Sequence, residues 1–261
     1  MKKLLLLLGL LAVNSLKAQD RIFTYTYQSN VLNVGQREIE PWSTFKWGKK
    51  DFYREFDHRI EFELGMAKNL QTAFYLNLKT SASQNTDSTI VTDNDISFSN
   101  EWKYKISDPV ADKIGFALYE EIGIGRKEIE FESKLIFDKR IGNSTLALNL
   151  VHEFELENEA ENGEVELEKE NAIEIDFGYS YNISKNWYLG FELRNHNEIK
   201  EGKWEHSALF GGPTLSYTHD NFWINVTILP QIKGLKGATD NGLVLDEHEK
   251  LETRLIFSYA F

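Results

Sequence analysis

Charged residues recur at every second position in several stretches of the sequence. Glu128, Glu130 and Glu132 form one series, and Glu174 with Asp176 begins another. Side chains two residues apart on a β-strand share a face, so each series would place its carboxylates on one face of a strand. Carboxylates concentrated on one wall raise the local concentration of cations. The spacing therefore predicts a wall that attracts cations or polar solutes.

The same phase, followed along the chain, defines a larger set of charged residues that would line the interior of a barrel. The set comprises Arg59, Glu61, Glu63, Lys79, Glu101, Lys103, Glu128, Glu130, Glu132, Glu153, Glu174, Asp176, Glu192, Arg194 and Arg254. Acidic members outnumber basic ones, which favours an aqueous pore for cations or neutral polar solutes. Pairing two strands about their short turn places Glu174 opposite Arg194. Such pairs would instead close the lumen if they bridged it, and the sequence leaves both alternatives open.

Four polar residues occur in the phase expected to face outward: Asn100, Glu120, Ser133 and His152. Serine, histidine and a carboxylate are residue types found in hydrolases. Counting about a turn at 138–143 puts Ser133 opposite Leu148 rather than His152, which separates the nucleophile from its base, while Asn100 falls opposite Glu120. An oligomer contact, or a β-bulge that rotates Glu120 inward, explains the cluster more simply. No residue is therefore assigned a catalytic role.

Two other acidic features are weaker signals. Residues 157–170 hold seven glutamates and one lysine, which predicts a solvated outer loop, although carboxylate oxygens also suit divalent cations. Asp57 with His58, and Asp246 with His248, would meet at one rim, where an acid–histidine pair can activate water. Neither feature has a specific spacing, so the sequence predicts no metal site and no cofactor.

Alternation of apolar and polar residues defines the elements that would carry these side chains. Twelve stretches alternate, at 38–47, 57–66, 70–81, 95–106, 114–124, 128–137, 144–156, 171–181, 187–196, 207–218, 222–232 and 249–261. Short turns at 67–69, 107–113, 138–143, 182–186 and 219–221 alternate with longer links at 48–56, 82–94, 157–170, 197–206 and 233–248, with 125–127 as a short exception. This is the pattern of an all-β, antiparallel up-and-down transmembrane barrel with short periplasmic turns and longer extracellular loops.

The width of a twelve-strand ring helps to orient its apolar face. About eight strands enclose an interior that side chains can fill, so an apolar interior would leave a large empty cavity. An apolar outer face in lipid with a polar lumen avoids that problem. A soluble β-sandwich is the alternative, but many aromatic residues lie near the short turns, including Tyr104, Trp187, Tyr188, Trp223 and Tyr259, and this predicts a girdle at a membrane interface.

The first residues predict export. Two lysines, a leucine-rich run and a small-residue exit near Ala18 describe a secretory signal peptide over 1–19, and the apolar run is shorter than a membrane-spanning helix needs. Residues 20–36 would form a periplasmic lead-in, or an extra strand around 23–27, before the barrel at 37–261. Removing three lysines with the signal takes the net charge from −12 to −15, so nucleic acid is excluded as a partner. The absence of cysteine excludes thiolate metal sites.

The last segment, LETRLIFSYAF, has apolar residues at alternate positions and ends in an aromatic residue. It resembles the C-terminal strand of outer-membrane proteins of Gram-negative bacteria, and the resemblance implies that Phe257, Tyr259 and Phe261 are read by the barrel-assembly machinery. The expected protein is a porin-like outer-membrane channel for small polar or cationic solutes, in contact with lipid and either monomeric or a homo-oligomer. The alternatives are an outer-membrane hydrolase acting on lipid or peptide, and a closed barrel that acts as a scaffold or surface-binding protein.

Overall fold

The computed structural model describes residues 21–85, 88–161, 164–200 and 202–261. In it, the stretches of alternating apolar and polar residues form the strands of one antiparallel meander. Each strand pairs with its neighbours in sequence, and β1 pairs with β12, so the twelve strands of the described residues form a closed barrel. The strands are β1 Arg37–Trp47, β2 Tyr53–Ala67, β3 Leu70–Gln84, β4 Ile90–Ser107, β5 Gly115–Gly125, β6 Glu128–Ile141, β7 Ser144–Glu161, β8 Glu164–Asn182, β9 Trp187–Lys200, β10 Lys203–His219, β11 Phe222–Lys236 and β12 Leu251–Ala260. The expected all-β up-and-down fold and its strand number are confirmed.

The strands extend further at one end than the apolar alternation indicates. We call this end the loop rim, and the end that carries the start of β1 and the end of β12 the turn rim. The expected loop at 157–170 instead continues β7 and β8, since Glu157 pairs with Glu168 and Asn158 with Leu167. Backbone pairing does not require an apolar face, so polar strands continue beyond the apolar band. The one long connection among the described residues is 237–250, which contains the short 3₁₀ turn Asp240–Gly242.

The outward face of the barrel is apolar over most of its height. Large hydrophobic side chains alternate outward along the strands and are exposed, as in Ile60, Phe74 and Leu150. No described helix is long and apolar enough to cross a membrane. The expected girdle is present in part, because Tyr104, Tyr181, Trp187, Tyr259 and Phe261 are exposed near the turn rim.

Two aromatic residues that the sequence predicts for the outward-facing girdle face the lumen instead. Trp223 is fully buried in a cluster with Trp42 and Ile256, and Tyr188 is buried with Phe23. Both lie near the turn rim, but their positions in the alternation of β11 and β9 point them into the lumen. Sequence distance from a turn fixes height along the barrel and not the face of the strand.

Residues 21–32 lie inside the barrel, not below it as a lead-in, residues 33–35 are exposed at the turn rim, and none of residues 21–36 forms a strand. Phe23 is 0% exposed and Ile22 is 1% exposed. The segment turns back toward the wall at the turn rim, where the backbone N–H of Gly35 donates to the carbonyl of Gly65 at 2.8 Å. It has no neighbouring strand to pair with, because β1 already pairs with β2 and β12, so its aromatic residues are buried in the lumen instead. The signal peptide expected at 1–19 lies outside the described residues.

The hairpin between β6 and β7 depends on one left-handed glycine. Ile141 pairs with Ser144, so the loop has only two residues, and Gly142 has φ +58°. We expect Gly142→Val to destabilise the barrel by about 1–2 kcal/mol, because a β-branched side chain is strained at positive φ. Urea unfolding of protein refolded into phospholipid vesicles measures the change.

The matched control is Gly142→Asn, because asparagine tolerates this backbone region. No side chain lies within 4 Å of a Cβ added at Gly142, so the two variants differ in backbone strain and not in packing. Equal unfolding midpoints for both variants would contradict the turn geometry.

Candidate functional site in the lumen

A single carboxylate of the wall holds the middle of the lumen segment, residues 21–36. Glu192 on β9 accepts hydrogen bonds from the backbone N–H groups of Thr24, Tyr25 and Thr26 at 2.9, 2.8 and 2.8 Å. The hydroxyl of Thr227 donates to the same carboxylate at 2.7 Å. Hydrogen bonds to an ionised carboxylate are about twice as strong as neutral ones, so Glu192 is the main polar anchor of the segment.

Amide side chains from other walls hold the flanks of the segment. Asn149 on β7 accepts from the N–H of Tyr27 at 2.6 Å and donates to its carbonyl at 3.0 Å. Gln71 on β3 accepts from the N–H of Leu32 at 2.9 Å. Because β3, β7 and β9 stand in different parts of the ring, the segment spans the lumen rather than lining one side of it.

A small residue in the wall makes room for the segment. A Cβ added at Gly178 on β8 would lie 2.8 Å from the ring of Phe23. Glycine at this position therefore allows the aromatic ring to pack against the backbone of the wall. Together with the polar anchors, this contact closes the half of the lumen nearest the turn rim.

The expected lining residues divide between the closed half and an open half. Those buried in the closed half are Glu61, Glu63, Glu101, Lys103 and Glu192. Those bordering a cavity of about 290 Å³ above the segment are Arg59, Lys79, Glu128, Glu130, Glu132, Glu153, Glu174, Asp176, Arg194 and Arg254. Tyr25 and Tyr27 of the segment also border this cavity, so the segment forms its floor.

Cations stack on the aromatic floor. The guanidinium carbon of Arg254 lies 3.9 Å from the ring centre of Tyr25, and the ammonium of Lys134 lies 4.4 Å from that of Tyr27. Such contacts contribute more when they are partly desolvated. The cations therefore stabilise the floor and also reduce the negative charge of the cavity.

An expected ion pair forms, but through a shifted strand pairing. Asp176 pairs with Arg194 and Glu174 with His196, two residues from the expected pairing of Glu174 with Arg194. Arg194 still reaches Glu174, with its Nε 3.0 Å from the carboxylate, and its Nη1 lies 2.8 Å from Glu252 on β12. The shift arises because β8 continues to Asn182, which pairs with Tyr188.

A second cavity, of about 420 Å³, opens toward the loop rim. Nine glutamates and four lysines or arginines line it, together with two histidines. Burial and the neighbouring Glu252 raise the pKa of Glu249, in the connection 237–250, to about 8. The excess of carboxylates makes this entrance attractive to cations.

The outer wall carries the polar cluster expected from the sequence, but its pairing differs. Ser133 lies directly opposite His152 and also opposite Glu120. The expected pairing with Leu148 was wrong because β6 continues to Ile141, which shortens the turn and moves the pairing by four residues.

Asn100 and Glu120 are likewise not opposite each other. Asn100 pairs with Ile122, and Glu120 pairs with Trp102. The displacement begins at the turn, where Ser107 pairs with Phe116, and the register shift between Lys105 and Ser107 reverses only one residue of it. The expected bulge that would turn Glu120 inward is absent from the pairing of β5 with β6, and Glu120 is exposed on the outer face.

Hydrogen bonds connect this outer row. The hydroxyl of Ser133 donates to Glu120 at 2.6 Å, and Nε2 of His152 lies 3.2 Å from the amide oxygen of Asn171. The row therefore contains a hydroxyl between a carboxylate and an imidazole, with an amide that can orient the imidazole. This arrangement has the residue types of a nucleophile, a base and an orienting group.

The two expected acid–histidine pairs do not form. Asp57 lies 3.4 Å from Lys46, whereas His58 faces outward and lies 3.1 Å from the hydroxyl of Ser43. Asp246 pairs with Lys50 at 2.8 Å. Adjacent residues of a strand point to opposite faces, so Asp57 and His58 cannot act together.

Among the described residues, one trio of acidic groups has ligand atoms within 4.8 Å of one another, namely Glu38, Glu40 and Glu63. All three are buried in the wall beside the lumen segment. Arg21 of the segment lies 3.8 Å from Glu40, and Ser258 donates to Glu38 at 2.9 Å. Carboxylate oxygens of this kind could hold a hard divalent cation.

Sequence reasoning included Glu192 among the lining residues but missed the lumen segment and two of the other residues that hold it. Asn149 and Gln71 are uncharged, so a search for charged lining residues passes over them. The available signal was the apolar alternation of Phe23, Tyr25 and Tyr27 outside any paired strand, because such residues must be buried somewhere.

Comparison with solved structures shows barrels of similar fold. The COG4313 outer membrane channel from Pseudomonas putida F1 aligns with a TM-score of 0.62 at 10% identity, over 92% of this chain and 100% of that chain. The translocator domain of the autotransporter NalP from Neisseria meningitidis aligns with a TM-score of 0.59 at 10% identity, over 89% and 91%. The NanC porin aligns with a TM-score of 0.54 at 11% identity, over 85% and 98%. At these identities the likeness shows the fold.

A comparison with curated proteins found no match. The family model of DUF6662 matches residues 15–261, which is nearly the whole chain. The chain therefore belongs to DUF6662, a family of unknown function.

Proposed function

We propose that this protein is a porin-like channel of the Gram-negative outer membrane that admits small cationic or polar solutes from the loop rim. The observation that carries the proposal is the acidic cavity at that rim, which continues into the cavity above the lumen segment through shared residues such as Glu128 and Glu153. Wall charges of one sign set the local concentration of counter-ions. The apolar outer face supports a membrane location.

The lumen segment restricts passage in this proposal. It closes the half nearest the turn rim with buried side chains, so solutes pass only when the segment moves or loosens. Its anchors are mainly hydrogen bonds to side chains of the wall rather than strand pairing, which makes local release less costly than opening the barrel. The channel is therefore a restricted one, with conductance governed by residues 21–36.

A second candidate function is hydrolysis of a lipid ester at the outer wall. The observation that favours it is the direct pairing of Ser133 with His152, within an apolar face that includes Phe131 and Leu150. A charged or ionisable residue facing lipid is costly and is a marker of function. Rotation of the Ser133 hydroxyl from Glu120 toward His152 would allow the imidazole to accept its proton as the oxygen attacks the ester carbonyl. The imidazolium would return that proton to the alcohol that leaves as the ester C–O bond breaks, and water deprotonated by the same imidazole would then release the acyl group as a fatty acid.

Glu192→Gln should raise single-channel conductance in planar bilayers. One amide oxygen cannot replace both carboxylate oxygens that accept the three N–H groups of Thr24, Tyr25 and Thr26, so the segment loosens. The matched control is Glu205→Gln, the same chemical change at an exposed position near the loop rim that is not among the residues lining either cavity. The channel would be rejected if no single-channel current were seen with the wild type, with Glu192→Gln or with Gly178→Val, a change that displaces Phe23.

Glu153→Lys should lower the permeability ratio of cations to anions, because Glu153 borders both cavities and the change replaces an acidic side chain on the path by a positively charged one. Reversal potentials in a salt gradient measure the ratio. Asp51→Lys makes the same charge change on an exposed loop residue and should leave the ratio nearly unchanged. Equal ratios in both variants would place the conduction path elsewhere.

Ser133→Ala and His152→Ala should each abolish release of fatty acid from phospholipid vesicles if the outer wall is a hydrolase. The control is Ser43→Ala, which removes the hydroxyl of the other outward serine–histidine contact, with His58. Absence of release by the wild type, or full release by Ser133→Ala, would reject this second candidate.

A further inference from the structure

Three of the six histidines of the chain gather at the loop rim. His196 lies on β9, His206 on β10 and His248 on the connection 237–250. The ring centre of His248 lies 4.8 Å from that of His196 and 4.7 Å from that of His206. The three residues are far apart in sequence or on different strands, so the tertiary structure alone brings them together.

The connection 237–250 folds into the barrel at the loop rim and places the imidazole of His248 beside the other two. Gln231 on β11 holds the connection on both sides of His248, since it accepts from the N–H of Val244 at 2.6 Å and donates to the carbonyl of Glu249 at 3.1 Å. Val244 is 1% exposed. His248 therefore sits on an anchored loop and not on a free one.

Carboxylates occupy the outer nitrogen of two of the rings. Glu174 lies 2.5 Å from Nδ1 of His196, and Glu198 lies 2.8 Å from Nε2 of His206. A carboxylate that accepts the N–H of one ring nitrogen leaves the other nitrogen with a lone pair for a metal ion. The contact of Glu198 with Nε2 of His206 is within ion-pair distance but does not have hydrogen-bond geometry, so Glu198 would fix the N–H there, and leave Nδ1 of His206 for the metal, once the two groups align.

The free nitrogen of His206 meets the third histidine. Nδ1 of His206 lies 3.1 Å from Nε2 of His248, close to the separation of two nitrogens that each bind one ion at about 2.0–2.1 Å. His206 is buried, and the cluster borders the acidic cavity at the loop rim. The ring centre of His196 lies 6.4 Å from that of His206, and the three described imidazoles do not have nitrogens that all lie within 4.8 Å of one another, so metal binding requires the side chain of His196 to move toward the other two.

We infer that His196, His206 and His248 form a binding site for a divalent transition-metal ion such as Zn²⁺, with Glu174 and Glu198 orienting the ligands. Imidazole nitrogens suit such ions, whereas Mg²⁺ and Ca²⁺ prefer oxygen. The surrounding glutamates concentrate cations at the entrance. The site goes beyond the proposed channel and does not depend on it, because binding to the solubilised protein requires no transport.

The test is a Zn²⁺ titration of the full chain in detergent, against a chromophoric chelator and with millimolar Mg²⁺ present. The wild type should bind one equivalent, and His206→Ala and His248→Ala should each weaken binding at least 100-fold. Glu198→Gln should weaken it about 10- to 100-fold through the lost orientation of His206. His219→Ala removes an exposed histidine outside the cluster and should change affinity less than twofold.

A spectroscopic measurement identifies the ligands independently of affinity. Electron paramagnetic resonance of bound Cu²⁺ should show coupling to imidazole nitrogens, reduced in each cluster variant. Heat-dependent mobility on detergent gels checks that the variants are folded. The metal site would be overturned if the wild type did not bind Zn²⁺, or if folded His206→Ala and His248→Ala bound it as the wild type does. The three histidines would then form a hydrogen-bonded cluster without a metal-binding role.

The same titration separates this site from the channel. Glu192→Gln changes the lumen segment and not the histidines, so it should bind Zn²⁺ as the wild type does. A wild type that binds Zn²⁺ but passes no current would reject the channel and keep the metal site. Loss of Zn²⁺ binding in Glu192→Gln would count against a site formed by the three histidines alone.

Discussion

Each of the twelve described strands has two hydrogen-bonding neighbours only because β1 pairs with β12, from Glu38 with Ala260 to Trp47 with Leu251. Closure satisfies the backbone without water, which is the condition for strands to cross a bilayer. It also fixes the width of the ring, and a ring of this size is wider than its own inward side chains can fill. The lumen must therefore hold water or another part of the chain.

This barrel uses both solutions, at different heights. Near the turn rim, residues 21–36 fill the lumen with aromatic side chains and hold their backbone by hydrogen bonds to Glu192, Asn149 and Gln71. Near the loop rim, charged residues border open cavities. The boundary is the floor formed by Tyr25 and Tyr27, where aromatic rings meet cations. One constraint, the width of the ring, thus accounts for the segment, the cavities and the division of the lining residues between them.

The inner and outer walls concentrate different chemistry. Inside, carboxylates outnumber cations, and the histidines meet them at the loop rim. Outside, an apolar face surrounds a row of polar groups that includes Ser133 and His152. The two sets are on opposite faces of the same strands, as His152 and Glu153 show by their adjacent positions in β7. The strands can carry both because their side chains alternate with a period of two.

The sequence by itself determined the strands, their order and the faces of most side chains, because alternation is a local property that each strand carries independently. It did not determine the pairing of Ser133 with His152, since that depends on where β6 ends, and four residues at the turn decide it. It did not reveal that residues 21–36 occupy the lumen or that His196, His206 and His248 meet. His196 and His206 approach through the pairing of β9 with β10. The other contacts join residues far apart in the chain, and only closure of the ring and folding of the connection 237–250 bring those residues within reach of one another.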